Sequence, residues 1–148
     1  IGNSEVAYKR FDVAQEVAKR TGLELRTASN VTREQLNIMY NEALCLLYPS
    51  DYEGFGIPIL EAQKAGCPVI AQNTSSVPEV IGNGELLVSH DKTVRMADAM
   101  ADKVKQLLSQ PTQSIIEKGM QNAKRFSWDK TYAQTKQVYE DIYYNHHL

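Results

Sequence analysis

Apolar positions along the chain recur with two different periods, and their alternation predicts the fold. Ala7, Phe11, Ala14 and Ala18 stand at i, i+4, i+7 and i+11, one face of a helix over about Ser4 to Arg20 that Gly22 stops. Ahead of it, Ile1-Gly2 reads as the tail of a strand. LELRTA (Leu23 to Ala28) alternates apolar and polar residues as a strand does. A second helix follows from Thr32, with Leu36, Met39 and Tyr40 inward. ALCLLYP (Ala43 to Pro49) is a near-continuous apolar run closed by proline, as expected of a strand covered on both faces. A helix from Pro58 to Ala65, ended by Gly66, leads into the strand PVIA. A short helix at Val77 to Ile81 then leads to ELLV, the last strand. Three helices close the chain. Val94 to Leu108 carries Ala97, Met100, Val104 and Leu107 on one side, and Thr112 to Arg125 is the second. The third has Ser127 as N-cap and Trp128, Tyr132, Tyr139 and Ile142 along one stripe.

Strands and helices alternate at βα spacing, which predicts an α/β fold: a Rossmann-like parallel sheet flanked by helices on both faces. Residues 1–148 suit one domain, with the helices of about 111–148 appended. The opening at the end of an element predicts at least one more strand upstream, so the chain reads as a fragment. A net charge of −2 lacks the basic excess of nucleic-acid binders. No apolar run reaches the roughly 20 residues of a membrane-spanning helix, and Glu5, Lys9, Arg10 and Asp12 interrupt any signal-peptide pattern. Cys45 and Cys67 each sit in an apolar run, as core thiols of a reduced, cytoplasmic protein do. His90, His146 and His147 form no ligand pattern with them, so no metal site is expected.

One stretch, DYEGFGIPILEAQKAG (Asp51 to Gly66), carries chemistry. Gly54 and Gly56 let a ligand approach the backbone, and Pro58 suits a first helical turn. Amides and dipole at such a helix start favour a phosphate. The third glycine of the dinucleotide fingerprint is absent, since Ile59 holds its place. Glu53 and Glu61 flank this turn, and anions beside a phosphate site need donors of their own. Glu61 lies about one turn into the helix, where side chains lean back toward the N-terminus. Sugar hydroxyls are fitting donors, because a carboxylate accepts two strong bonds from a vicinal diol. A diphosphate with sugars at both ends, a nucleotide-sugar, satisfies all three groups; a solvated helix-start glutamate is the alternative for either residue taken singly.

EGFGIPILE resembles the Glu-x7-Glu motif of retaining glycosyltransferases of the GT-B fold, in particular family 4. The resemblance extends over TREQLNIMYNEALCLLYPS, EAQKAGCPVI, SSVPEV and the closing FSW helix, nearly the whole chain. It implies the truncated C-terminal half of such an enzyme. Glu53 is implied as the catalytic-site residue holding hydroxyls of the transferred sugar. Gly54, Phe55, Gly56 and Ile57 are implied to lie along sugar and diphosphate, Glu61 to bind the ribose, and Asn30 and Val31 to face the base. Thr74, Ser75 and Ser76 are implied as a neighbouring loop, for which a polar turn and helix cap is an equal reading; Glu79 and the Phe55 ring read as structural.

In this family an Arg and a Lys from the first strand-loop-helix offset the diphosphate charge. That segment is expected before Ile1, and no basic residue of this chain is expected in an equivalent place: Lys64 lies on the helix and Arg33 belongs to another loop. The acceptor, a sugar or lipid-linked saccharide, is expected on an absent N-terminal domain, which could also supply peripheral membrane contact. The tyrosine-rich last helix either covers that domain or is an ordinary amphipathic helix. The implied activity is transfer of a sugar from a nucleotide-diphosphate-sugar with retention, with no cofactor or metal, and the isolated chain is expected to be inactive. A non-catalytic nucleotide-binding or protein-interaction module, or a relative such as a nucleotide-sugar epimerase or phosphorylase, are the competing readings.

Overall fold

The structure, a computed structural model, describes residues 7–82, 84–89 and 95–145. Three parallel strands, β1 (Leu46–Tyr48), β2 (Val69–Gln72) and β3 (Leu87–Val88), lie in that order. The register sets Leu46 against Val69 and Tyr48 against Ala71, then Ala71 against Leu87. Helices α1 (Phe11–Thr21) and α2 (Arg33–Glu42) precede the sheet, and α3 (Ile57–Lys64) and α4 (Val77–Ile81) connect its strands. Helices α5 (Met96–Ser109), α6 (Gln113–Ala123) and α7 (Trp128–Asn145) follow.

Successive side chains of a strand point to opposite faces, so this sheet feeds two apolar cores. Ile70 and Val88 pack with Val13 and Val17 of α1 and Met100 and Val104 of α5. Val69, Ala71, Leu46 and Tyr48 pack on the other face with Tyr40 of α2, Ile59 and Ala62 of α3 and Val77 and Val80 of α4. Helices therefore cover both faces, and every residue of β2 is buried. That double coverage is why the strands read as continuous apolar runs.

The helix ends follow their local signals. Gly22 takes a left-handed turn (φ 71°) and its N–H closes on the Ala18 carbonyl. Thr32 and Gln35 form a capping box, each side chain accepting from the other's backbone N–H at 3.2 and 2.8 Å. Ser127 Oγ accepts from the Lys130 N–H, capping α7. Behind the sheet, Asn122 donates to Gln63 Oε1 (2.7 Å) and the Val80 carbonyl (2.8 Å), and Gln63 donates to the Ile81 carbonyl (2.9 Å). This buried polar network ties α3 to α4 and α6, and so holds the helix on which the candidate site begins.

Two expectations fail on the N-terminal side. The helix drawn from Ser4 begins only at Phe11, because Arg10 adopts a left-handed conformation (φ 51°, ψ 49°) after a 3₁₀ turn at Ala7–Lys9. Leu23 to Ala28 forms no ladder. A strand needs a partner as well as an alternating pattern. The hydrogen bonds of β1 run to β2, and on its other side lies a cavity of about 310 Å³ lined by residues 23–28 and 43–47. Ile1-Gly2, Ser4 to Val6, Val94, His90, His146 and His147 lie outside the described residues. The stripe predicted on α7 lies exposed: Trp128 and Tyr139 are 78% and 72% exposed. Among the described residues no helix is long and apolar enough to cross a membrane.

Candidate functional site

The loop from β1 to α3 leaves the carboxyl edge of the sheet, the usual place for ligands in open α/β folds. Gly56 is its pivot. It is the N-cap of α3 in a left-handed conformation (φ 98°) and is buried, and a Cβ there would meet Ile59 Cδ1 at 3.0 Å. Glycine is therefore required by backbone angle and by space alike. The Ile59 N–H closes on the Gly56 carbonyl at 3.0 Å, and Pro58 stands at the second helical position, not the first. The N–H groups of Gly54, Phe55, Gly56 and Ile57 have no hydrogen-bond partner among the described residues. Consecutive unpaired amides at a helix start form a concavity suited to an anion.

Glu53 enters this rim from the loop. Its carboxylate accepts from Lys9 Nζ at 2.6 Å, with the two side chains 11% and 18% exposed. Burial pushes the Glu53 carboxyl up, but Lys9, Ser50 and Tyr48 outweigh it and hold the group below the ordinary glutamate value. The Tyr48 hydroxyl is buried and makes no well-formed hydrogen bond. It lies close enough to Glu53 that burial and the carboxylate together push its own titration far up. Glu61, exposed on the second turn of α3, accepts from the Tyr40 hydroxyl at 3.3 Å. The same hydroxyl stands 3.4 Å from the Pro58 carbonyl, so Tyr40 braces the first turn of α3 and its glutamate together.

Lys9 corrects the expectation that this chain has no cation at the site. The Asp51 N–H bonds the Tyr8 carbonyl at 2.8 Å, which ties the turn before α1 to the loop after β1. Lys9 then reaches Glu53 and Arg10 Nη1 reaches Asp51 at 3.3 Å. Two adjacent cations directly before a helix start were the available signal. The polar loop Thr74 to Ser76 also comes onto the site: Ser75 Oγ accepts from the Glu53 N–H at 3.0 Å. Phe55 is half-exposed, its ring edge-on to Phe126 with centroids 5.8 Å apart. Asn30 and Val31 lie exposed on the loop before α2, Asn30 with φ 56°. No hydrogen bond or ion pair among the described residues joins them to the β1–α3 loop. Glu79 is exposed on α4. The 310 Å³ cavity is lined by Tyr40 but by neither Glu53 nor Glu61.

A parallel sheet flanked by helices, with unpaired amides and charged groups at its carboxyl edge, defines an open α/β domain. Residues 6–126 match the family described as "Glycosyl transferases group 1", and the chain belongs to that family. It is similar to the O-antigen chain mannosyltransferase B of Escherichia coli, 35% identical over 87% of this chain and 34% of that one. It is also similar to the MMP alpha-(1->4)-mannosyltransferase of Mycolicibacterium hassiacum (32% identical, 78% of this chain, 29% of that one). The D-inositol 3-phosphate glycosyltransferase of Corynebacterium urealyticum is 31% identical over 95% of this chain and 34% of its own length. Sucrose-phosphate synthase from Thermosynechococcus elongatus shares the fold, with a TM-score of 0.70 at 23% identity over 90% of this chain and 34% of that one. The chain thus spans about a third of the length of the curated relatives it matches.

Proposed function

We propose that this chain is the donor-binding domain of a retaining, metal-independent glycosyltransferase of the family-4 type, and that its donor is a nucleoside-diphosphate sugar. The observation that carries the reading is the Lys9–Glu53 pair, closed at 2.6 Å on the rim of four consecutive unpaired amides. That rim offers positive charge for a diphosphate and, beside it, a carboxylate for hydroxyls. The amides of Gly54 to Ile57 take the diphosphate, and Lys9, with Arg10 behind it, supplies the charge that the amides lack. Glu53 accepts from hydroxyls of the transferred sugar, and Glu61, oriented by Tyr40, from the ribose diol. Asn30 and Val31 face the base across the site. A diphosphate held this way leaves as a stabilised anion; the acceptor oxygen bonds the anomeric carbon on the face from which the diphosphate departs and hands it its proton, so the anomeric configuration is retained. Transfer needs donor and acceptor in one geometry, and the acceptor, a saccharide or lipid-linked saccharide, is held by the rest of a longer protein.

Mannosyltransferases recur among the relatives, which puts nucleotide-mannose first among the donors to try. A panel of GDP-mannose, UDP-glucose and UDP-N-acetylglucosamine, read by thermal stabilisation and by release of nucleoside diphosphate from the full-length protein, tests the reading. One nucleotide-sugar is expected to raise the melting temperature and to be turned over without added metal. Stabilisation by none of them, or turnover lost on adding a chelator, contradicts it.

A further inference from the structure

Three consecutive hydroxyls on the loop between β2 and α4 grip the backbone around Glu53. Thr74 Oγ1 donates to the Asp51 carbonyl at 3.1 Å. Ser75 Oγ accepts from the Glu53 N–H at 3.0 Å. Ser76 Oγ shares its proton between the Glu53 carbonyl (2.9 Å) and the Phe55 carbonyl (3.0 Å). Bonds therefore reach Asp51, Glu53 and Phe55, alternate residues of the loop.

Two local preferences are given up to make this grip. Ser76 is the N-cap of α4, where a serine side chain ordinarily caps the helix, yet it makes no capping bond. Its hydroxyl is spent on the neighbouring loop instead. Ser75 sits at φ 45°, a left-handed conformation that costs a residue with a Cβ. Strain and a forgone cap are what a loop shows when its side chains are held for another purpose.

We infer that Ser75 and Ser76 are positioning residues that set the Glu53 carboxylate against the transferred sugar. This rests on the donor-site reading above. It extends that reading by separating two tasks at one site: Ser75 holds the Glu53 N–H at the sugar end, while Ser76 holds the Glu53 and Phe55 carbonyls, whose peptide planes carry the Gly54 and Gly56 amides at the diphosphate end. The Lys9–Glu53 contact spans 44 residues of chain, and the serines hold the backbone of Glu53 while Lys9 holds its carboxylate.

The test uses the full-length protein with Ser75→Gly and Ser76→Ala, and Ser76→Thr as the conservative variant. Ser75→Gly removes the hydroxyl while suiting the left-handed turn, so it keeps the proposal testable if Ser76→Ala folds poorly. Turnover of GDP-mannose or UDP-glucose is expected to fall roughly 10- to 100-fold in kcat, the scale of a small misplacement of a reacting group. Binding of GDP and UDP by Ser75→Gly is expected to stay within about threefold of wild type and its melting temperature to equal or exceed it, whereas Ser76→Ala is expected to weaken nucleoside-diphosphate binding as well. Ser76→Thr is expected to recover most of the lost kcat. The inference is overturned if both serine variants keep wild-type kcat, or if Ser75→Gly lowers nucleoside-diphosphate affinity by the same factor as kcat. Glu53→Gln separates the failures. If it retains full turnover, the site reading fails and this inference with it. If it is inactive while the serine variants are not, only the positioning role fails.

Discussion

Replacing Lys9 by methionine removes the cation that touches Glu53 and keeps a stem of similar length beside the Tyr8 and Tyr48 rings, whose centroids lie 5.2 and 5.6 Å from Nζ. At the 2.6 Å separation the Coulomb attraction is about 6 kcal/mol for an effective dielectric near 20. Desolvation of both groups offsets most of that. Exposed pairs are worth about 0–1 kcal/mol, and stripping one partner from a fully buried pair costs about 3–5 kcal/mol. With its side chains 11% and 18% exposed, this pair lies between, so Lys9→Met is expected to cost about 1–3 kcal/mol near neutral pH. The pH dependence has a definite sign. Glu53 titrates below its ordinary value in the folded protein, so the pair's contribution is present above that value and lost as pH falls through the lowered one. Without Lys9, burial is opposed only by Ser50 and Tyr48, and the carboxyl titrates higher than in wild type. Carboxyl-carbon NMR titration of both proteins, with urea unfolding at neutral pH and about pH 3, reads both effects. Glu53 titrating at the same pH in both proteins, or a stability gap that does not close in acid, refutes the reasoning.

Other outcomes follow from the same geometry. Glu61→Ala in the full-length protein is expected to weaken nucleoside-diphosphate binding roughly 10- to 100-fold, the worth of one charge-assisted hydrogen bond, in a calorimetric titration. Gly56→Ala forces a Cβ into a left-handed position against Ile59 and should lower unfolding free energy by about 1–2 kcal/mol in urea. Asn122→Ala leaves Gln63 and the Val80 carbonyl short of a partner in a buried place, which costs about 1–3 kcal/mol by thermal unfolding with the cores otherwise intact. Burial pushes the Cys45 thiol up to about 12 and Cys67 up to about 11, so both should react slowly with iodoacetamide at pH 8 until urea unfolds the chain.

What the sequence disclosed was whatever is settled within a few residues. The start of α2 at Thr32, the Gly22 stop and the doubly covered strands follow from neighbours in the chain, and each stands where its pattern puts it. Leu23 to Ala28 has a strand's alternation and no ladder, because pairing depends on a second segment that no local pattern supplies. The site divides along the same line. Glu53, Gly54, Gly56 and Glu61 share one continuous motif, so the sequence brings them to notice together. Lys9 and Arg10 precede it by some forty residues and arrive through the Tyr8–Asp51 backbone bond, which leaves no trace in spacing. Ser76 misled for a different reason: at a helix start a serine looks like a cap, and only its partners in space show that its hydroxyl belongs to the Glu53 loop.

A crystal structure of the full-length protein with an intact nucleoside-diphosphate sugar bound would weigh the donor-site claim most directly. The account predicts the diphosphate on the amides of Gly54 to Ile57 with Lys9 turned toward it, hydroxyls of the transferred sugar on Glu53, and the ribose diol on Glu61. A diphosphate bound elsewhere, or Glu53 and Glu61 facing away from the ligand, contradicts it.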